Sequence, residues 1–558
     1  MSIPGSASAV PGVVADDWGW RYAGRREWAA RHLDFTIEPG ERVLLLGASG
    51  AGKSTLLGAL TGVLGGNDEG EEAGRLLVGG KHPTRMRGHI GLVMQDPNSQ
   101  VILQRIGDDA AFGCENLAVP RDQIWPRVHS ALDSVDLHLP LDRSTTALSG
   151  GQQQRLAIAG ALAMQGGAGA PGMLCLDEPT ANLDPEGVTT VHDAIAHVVA
   201  DRRTTLVVVE HRVDVWTDLV DRVLVLSAQA GLLADGSPRE VFASQREVLT
   251  RAGVWVPGTP PAVTARQAPV AGKPVLTTTD LTIGHGPAHP VRTMDTTTIP
   301  AGLSTTIVGP NGAGKTTLAL TLAGLLEPLA GSVTAAEHLR PTSGRFLTRA
   351  MHRHFNPARP ITWASRDLLT RIGTVFQNPE HQFVTGNVRD ELAVGLKALG
   401  HADQEITRQV DALLARLHLE KLADANPFTL SGGEKRRLSV GTVLATEPQV
   451  IVLDEPTFGQ DRATWIDLVA LVQDVLAQGH TVISVTHDRD YLDVLGENEL
   501  RLDLPGNDTS TGTAMDAGPG MGPSNRTAGA AGSHSGPAPD TDTEAGTVSS
   551  RPSSGMAS

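Results

Sequence analysis

The chain has 558 residues, 40% of them hydrophobic, and a formal net charge of -16 from 46 basic and 62 acidic residues. That length predicts several domains with sizeable cores, and the acidic balance argues against a nucleic-acid binder. Its cysteines, Cys114 and Cys175, exclude a disulfide framework and fit a reducing compartment.

The opening MSIPGSASAVPGVVADDW lacks a basic stretch followed by an apolar core, so no signal peptide is expected. No apolar run is long enough to span a membrane. The chain is therefore expected in the cytoplasm, held at any membrane by another subunit. Residues 1–15 read as disordered and 16–250 as a first domain.

Within that domain the strand-like Arg42-Val-Leu-Leu-Leu46 leads into Gly47, Ala48, Ser49, Gly50, Ala51, Gly52, Lys53, Ser54 and Thr55. Glycines at this spacing let backbone N–H groups turn toward phosphates, and the following helix adds its positive end. Lys53 is expected on the β/γ-phosphates and the Ser54 hydroxyl on Mg²⁺. Leu56, Leu60, Val63 and Leu64 give that helix its apolar face. Downstream come QDPNSQ from Gln95, LSGGQQQR with Ser149, Gly150 and Gly151, LCLDEPT with Asp177 and Glu178, and VVVEH ending at His211. Asp177 closes a buried-type strand and is placed on Mg²⁺. Glu178 stands where a base polarises water. His211, at another strand's C-terminal end, is placed on the γ-phosphate. Cys175, inside an apolar run, reads as a small buried hydrophobe.

Residues 251–273 are rich in proline and alanine and predict an extended, semi-rigid linker. A second domain, 274–505, then repeats every landmark. Gly309, Pro310, Asn311, Gly312, Ala313, Gly314, Lys315, Thr316 and Thr317 form the second phosphate loop, with Leu318, Leu322, Leu325 and Leu326 on the helix behind it. QNPEHQ from Gln377, LSGGEKRR with Ser431, Gly432 and Gly433, IVLDEPT with Asp454 and Glu455, and ISVTH ending at His487 follow in order. The separation of Gln95 from Ser149 equals that of Gln377 from Ser431, so this is a true tandem repeat. The second half carries an insertion of about 20 residues within 338–371. It is basic, with Arg340, Arg345, Arg349, Arg353, Arg359 and Arg366, and reads first as a solvated loop and second as a lipid or partner contact. Residues 506–558 lack large apolar side chains and are expected to be disordered.

The two LSGG segments add a second anion-binding surface to domains that already own one. The economical solution is an intramolecular head-to-tail pair. Lys53 then shares a nucleotide with Ser431, and Lys315 with Ser149; ATP joins the halves and hydrolysis releases them.

These motifs, over residues 16 to 505, resemble the ATP-binding cassette (ABC) superfamily. The resemblance implies two tandem P-loop α/β domains, each with a RecA-like core, an antiparallel β subdomain and a helical signature subdomain. The segments QDPNSQ and QNPEHQ, with AAFGCENLAVP, ELAVGLKALG and TFGQD, are similar to the fused ATPases of energy-coupling factor transporters. That similarity implies docking on a transmembrane T component beside a substrate-binding S component, and an address at the cytoplasmic face of the cell membrane. It also implies that Gln95 and Gln377 touch Mg²⁺ and that Tyr22 stacks on adenine, with Trp18 and Trp20 as rivals. The second half offers only His285 or Ile283 there. Other departures are ANLD at 181–184 against FGQD at 458–461, and Glu434 in place of Gln152. Two alternatives remain: a twin-cassette translation factor on ribosomes, for which the linker is short and poor in charge, and the ATPase of a sugar-type importer.

Overall fold

The computed structural model describes residues 10–504, apart from 67, 168, 182, 268, 271, 287–289 and 343–354. The tail at 506–558, most of the N-terminal segment, and Arg345, Arg349 and Arg353 of the insertion lie outside the described residues.

Each half is built on a mostly parallel sheet of short apolar runs. In the first half the order is Ile90–Val93, Gly172–Asp177, Thr204–Val209, Arg42–Gly47, Arg222–Leu226 and Leu232–Gly236, the last strand antiparallel. The second half gives Ile372–Val375, Val450–Asp454, Thr481–Val485, Ser304–Val308 and Asn498–Arg501, all parallel. Strands such as Thr204–Val209 and Val450–Asp454 are buried along their whole length, which is why their sequences are continuous apolar runs. In both sheets the strand feeding the phosphate loop lies next to the one leading to His211 or His487, and one strand further lies the one ending at Asp177 or Asp454. The C-terminal strand ends thus converge, where open α/β sheets take ligands.

An antiparallel sheet covers each phosphate-loop helix: Ala30–Ile37, Val13–Tyr22 and Gly70–Val78 in the first half, and Pro274–Gly284 with three partners in the second. Val13 and Ala15 are buried in this sheet opposite Ile37 and Phe35, so ordered structure begins before residue 16 and the boundary expected there is too late. Trp18 and Trp20 are also buried, 0% and 2% exposed, which makes them core residues. Helices Ile106–Asn116, Arg121–Ser134 and Gly150–Gln165, and their counterparts Val388–Leu399, Asp403–Arg416 and Gly432–Leu444, form the helical subdomains.

The segment 251–273 does not hang free. Val254 and Val256 are buried in the first half's core, and Trp255 packs edge-on against Trp465 of the second half with ring centroids 5.8 Å apart. Its indole N–H donates to the Gln460 carbonyl at 3.0 Å, and Arg462 N–H donates to the Gly253 carbonyl at 2.9 Å. Further along, Gln473 donates to the Thr264 carbonyl and the Arg266 guanidinium pairs with Glu497 at 2.9 Å. The described part of the insertion also folds back: Trp363 is buried in the second core, and Arg340 donates to the Ala335 carbonyl.

Glu497 has a side chain only 4% exposed and also accepts the Ser304 N–H at 2.9 Å. Arg266→Ala leaves that carboxylate without its cation, and we expect a loss of about 2 kcal/mol in the stability of the second half, measured by denaturant unfolding.

Candidate functional site

Gly52 and Gly314 sit at φ 89° and 92° and turn the chain into the helices Lys53–Leu60 and Lys315–Leu322. Any side chain at Gly52 would press against the Ala29 carbonyl, so glycine is required by conformation and by space. The lysines curl over their loops. Lys53 Nζ donates to the carbonyls of Gly47 (2.8 Å) and Ala48 (3.1 Å), and Lys315 Nζ to those of Gly309 and Pro310 (both 2.9 Å). Burial lowers both amines from the usual lysine range, and surrounding carboxylates oppose that effect: Glu178, Asp461 and Asp177 at Lys53, and Glu455, Asp184 and Asp454 at Lys315. Each set includes one aspartate from the other half.

At the strand ends, the Ser54 hydroxyl stands by Asp177 and the Thr316 hydroxyl by Asp454, each holding its aspartate lower than burial alone would set it. Burial, and then the neighbouring Glu178, push Asp177 up to about 6. Glu178 and Glu455 follow at φ 48° and 47°, a strained setting that both halves maintain. The Glu178 carboxylate accepts from Gln95 Nε2 at 2.8 Å and lies 3.3 Å from His211 Nε2. Glu455 lies 3.8 Å from His487 Nε2. Burial raises Glu455 to about 8, with Asp454 adding to the shift, and burial together with Lys315 lowers His487 to about 4.

The signature serines are helix caps. Ser149 Oγ accepts the Gln152 N–H while Gln152 accepts the Ser149 N–H, and at the second signature Glu434 accepts the Ser431 N–H at 2.8 Å in the same way. The Glu434 departure therefore keeps the cap and changes only its charge.

Across the interface, Asp461 accepts the Ser49 N–H and Asp184 accepts the Asn311 N–H at 2.8 Å, so each half's aspartate reaches the other's phosphate loop. A Cβ built on Gly433 would lie 3.5 Å from Ser49 Oγ, which brings the second signature to the first loop. One built on Gly459 would lie 3.1 Å from Gln95 Nε2 and 3.3 Å from Glu178 Oε2. The other site is closed differently. The cleft holding Lys315, Gln377, Glu455 and His487 receives Leu183 and Arg212 from the first half, whereas Gly150 and Gly151 face Leu183 and Gly187 of their own half. The structure therefore does not bring Ser149 against Lys315 as it brings the second signature against Ser49.

Tyr22 donates to or accepts from Thr55 Oγ1 at 3.2 Å, and the Arg25 guanidinium lies 5.9 Å from its ring. Arg25 also donates to the Thr429 carbonyl of the other half at 3.1 Å. In the second half His285 takes this place, 3.4 Å from Thr317 Oγ1 and lining the cleft. Ile283 is fully buried in the core, which removes it as a covering side chain.

Several participants escape sequence reasoning. Asp184 and Asp461 close the ANLD and FGQD segments and cap the helices that follow, but nothing local marks their second bond. Arg436, 3% exposed, donates to the Phe376 and Gln377 carbonyls at 2.8 and 2.6 Å and ties the signature helix to the loop that carries Gln377. Its counterpart is Gln154, so the repeat itself hides it.

A family model described as ABC transporter matches residues 30–181 and 294–458. YkoD of Bacillus subtilis, a provisionally named HMP/thiamine import ATP-binding protein, is 31% identical over 517 residues, covering 87% of this chain and 88% of the relative. The chain belongs to the ABC transporter family of ATPases. It is a twin-cassette, ATP-hydrolysing member, and its halves are the two ATP-binding cassettes. A provisionally named ABC transporter ATP-binding protein of Methanosarcina acetivorans is 32% identical over 539 residues, covering 87% of this chain and 83% of its own. A chain from ribosome-bound archaeal Pelota and ABCE1 superposes with a TM-score of 0.59 at 20% identity, over 87% of this chain and 76% of that one, and so shares the fold.

Cys114 and Cys175 are both fully buried, so introduced thiols have no exposed competitor. Ser49→Cys with Gly433→Cys is expected to close a disulfide between the cassettes on mild oxidation, seen as a mobility shift on a non-reducing gel; Ser49→Cys with Gly150→Cys should not.

Proposed function

We propose that this chain is the ATPase of an energy-coupling factor importer, docked on transmembrane partners at the cytoplasmic face of the membrane. Among the described residues no helix is long and apolar enough to cross a membrane, so the pore belongs to other chains. The observation that carries this reading is a matched pair of exposed apolar side chains just beyond the glutamines. Ile102 is 59% exposed and Val384 73% exposed, at equivalent positions of the two cassettes. Each loop is pinned by a carboxylate of the next helix: the Ile102 N–H bonds Asp109 at 2.8 Å, and the Val384 N–H bonds Glu391 at 3.0 Å. Such a rigid apolar pair suits an apolar partner better than water. The relation to an HMP/thiamine import protein supports the importer class.

Both sites keep the parts hydrolysis requires. Lys53 and Lys315 hold the phosphates, and Glu178 and Glu455 polarise the attacking water. His211 and His487 contact the γ-phosphate, while Tyr22 and His285 cover the adenine. The loop amides at 47–55 and 309–317 cradle the triphosphate; signature residues 431–433 complete the first site from the other cassette, and 149–151 are the matching group for the second site once the halves close further. Ser54 with Asp177, and Thr316 with Asp454, are hard oxygen pairs that fit Mg²⁺, with Gln95 and Gln377 adding amide oxygens. Asp454 Oδ1 is buried without a hydrogen-bond partner among the described residues, as an oxygen reserved for a cation would be. When bound, the ion neutralises charge that develops on the β- and γ-oxygens. Because Glu178 touches Gln95, and Gln95 precedes the exposed Ile102 loop, hydrolysis at the site is linked to the docking surface.

Glu178→Gln with Glu455→Gln is expected to cut turnover by at least about 10²-fold while ATP binding persists, measured by phosphate release and equilibrium binding. Ile102→Glu with Val384→Glu should reduce co-purification with integral membrane proteins from detergent by about tenfold. Recovery of ribosomes and no membrane protein by the unaltered chain would remove the importer assignment.

A further inference from the structure

The residue after His211 differs from the one after His487, and the structure gives the difference a place. In the second cassette it is Asp488, which turns inward: one oxygen accepts from Thr457 Oγ1 and from Trp465 Nε1, both at 2.6 Å, and the other accepts the Tyr491 N–H at 3.2 Å. In the first cassette that inward work falls to Glu210, one residue before His211. Glu210 is 4% exposed and accepts from Thr180 and from the N–H groups of His211 and Arg212. The position after His211 is thereby released, and Arg212 occupies it.

Arg212 is exposed, and its guanidinium makes no hydrogen bond or ion pair among the described residues. It reaches across the interface and lines the second cassette's cleft together with Lys315, Thr316, Glu455 and His487. Its charge is felt there, lowering both Glu455 and His487 from where burial alone would set them.

We propose that Arg212, carried by the first cassette, is a phosphate-binding residue of the second cassette's site and contacts the terminal phosphate of the ATP held by Lys315. This rests on reading that cleft as an ATP site, and not on the membrane partner. A planar guanidinium presents two parallel donors to phosphate oxygens, a geometry lysine lacks. Supplied from outside the cassette, it counters charge on the transferring phosphoryl group only when the halves are together. The first site has Asp488 at the corresponding position and so receives no such cation, which makes the two sites chemically unequal.

The test uses the full chain with one site silenced at a time. In a Glu178→Gln background, where the second site does the hydrolysis, Arg212→Ala is expected to lower kcat about tenfold or more, and in a Glu455→Gln background by less than about twofold. Arg212→Lys should recover part of the loss, since it returns charge without the fork. In the non-hydrolysing Glu178→Gln/Glu455→Gln chain, Arg212→Ala should weaken ATP binding at the second site several-fold relative to ADP, which also decides the matter if a single site turns over too slowly to read. Equal losses in both backgrounds, or an unchanged preference for ATP over ADP, would overturn the proposal. Residual full turnover in the double glutamine chain would instead remove the site reading beneath it, whatever Arg212 does.

Discussion

Two aspartates each serve both halves of the molecule. Asp184 Oδ1 caps its own helix through the Gly187 N–H at 2.9 Å, while Oδ2 takes the Asn311 N–H of the opposite phosphate loop. Asp461 does the same with Thr464 at 2.8 Å and with Ser49. A helix cap is a local device, worth about 1 kcal/mol, and by itself would concern one cassette. Giving the second carboxylate oxygen to the partner's loop makes the start of each of these helices part of the other cassette's phosphate site. The rest of the site assembles around that exchange: Gly459 reaches Gln95 and Glu178, and Leu183 and Arg212 enter the cleft around Lys315.

The duplication is symmetrical in these bonds and unsymmetrical in the charges around them. Moving a buried carboxylate from position 210 in one cassette to 488 in the other serves the same threonines, Thr180 and Thr457. The shift also decides what remains beside the histidine, a guanidinium without a partner among the described residues or a carboxylate already engaged. Gln154 and Arg436 differ in a related way. Arg436 is pulled down to about 10 by burial, yet it is held by two backbone carbonyls of the glutamine loop, so the second signature helix is fastened to that loop by a charged side chain. The settings of the glutamates differ too, since Glu178 is held by Gln95 and lies 3.3 Å from His211, while Glu455 stands 3.8 Å from His487 and is raised to about 8 by desolvation and by Asp454.

Much of this was legible in the sequence because phosphate chemistry demands residue types at fixed spacing. The two glycine loops, the strand-ending Asp177 and Asp454, the glutamates after them and the LSGG caps each combine a backbone requirement with a chemical one, so they show as motifs. Around each phosphate loop the apolar strand and the amphipathic helix behind it were readable from the residues, and the full α/β layering came from the resemblance those motifs carry. What stayed hidden involves pairs distant in the chain. Nothing near Ser49 announces Asp461, and nothing near Arg212 announces Lys315. Proline and alanine in 251–273 predict an extended, semi-rigid spacer; the buried Val254 and Val256 with the partly buried Trp255 between them, only a short apolar run, are what fasten it. The choice between His285 and Ile283 likewise needed the register of strand Pro274–Gly284, which turns Ile283 into the core.

That linker adds a final constraint, and it falls on one site. Gly253 accepts the Arg462 N–H, and Trp255 bonds the Gln460 carbonyl, so both grip residues flanking Asp461. A Cβ at Gly253 would lie 3.1 Å from Ala463 and 3.8 Å from Ala48 of the first phosphate loop. The chain that leaves the first cassette is thus wedged beside the bond between Ser49 and Asp461 before it becomes the second cassette. Separating the halves at the first site must break these covalently anchored contacts, whose buried aromatic and apolar side chains resist exposure to water. At the second site the cross-contacts described are the Asp184 bond to Asn311 and the approach of Leu183 and Arg212. The linker therefore fastens the halves beside the first site, whereas the contact proposed for Arg212 belongs to the second.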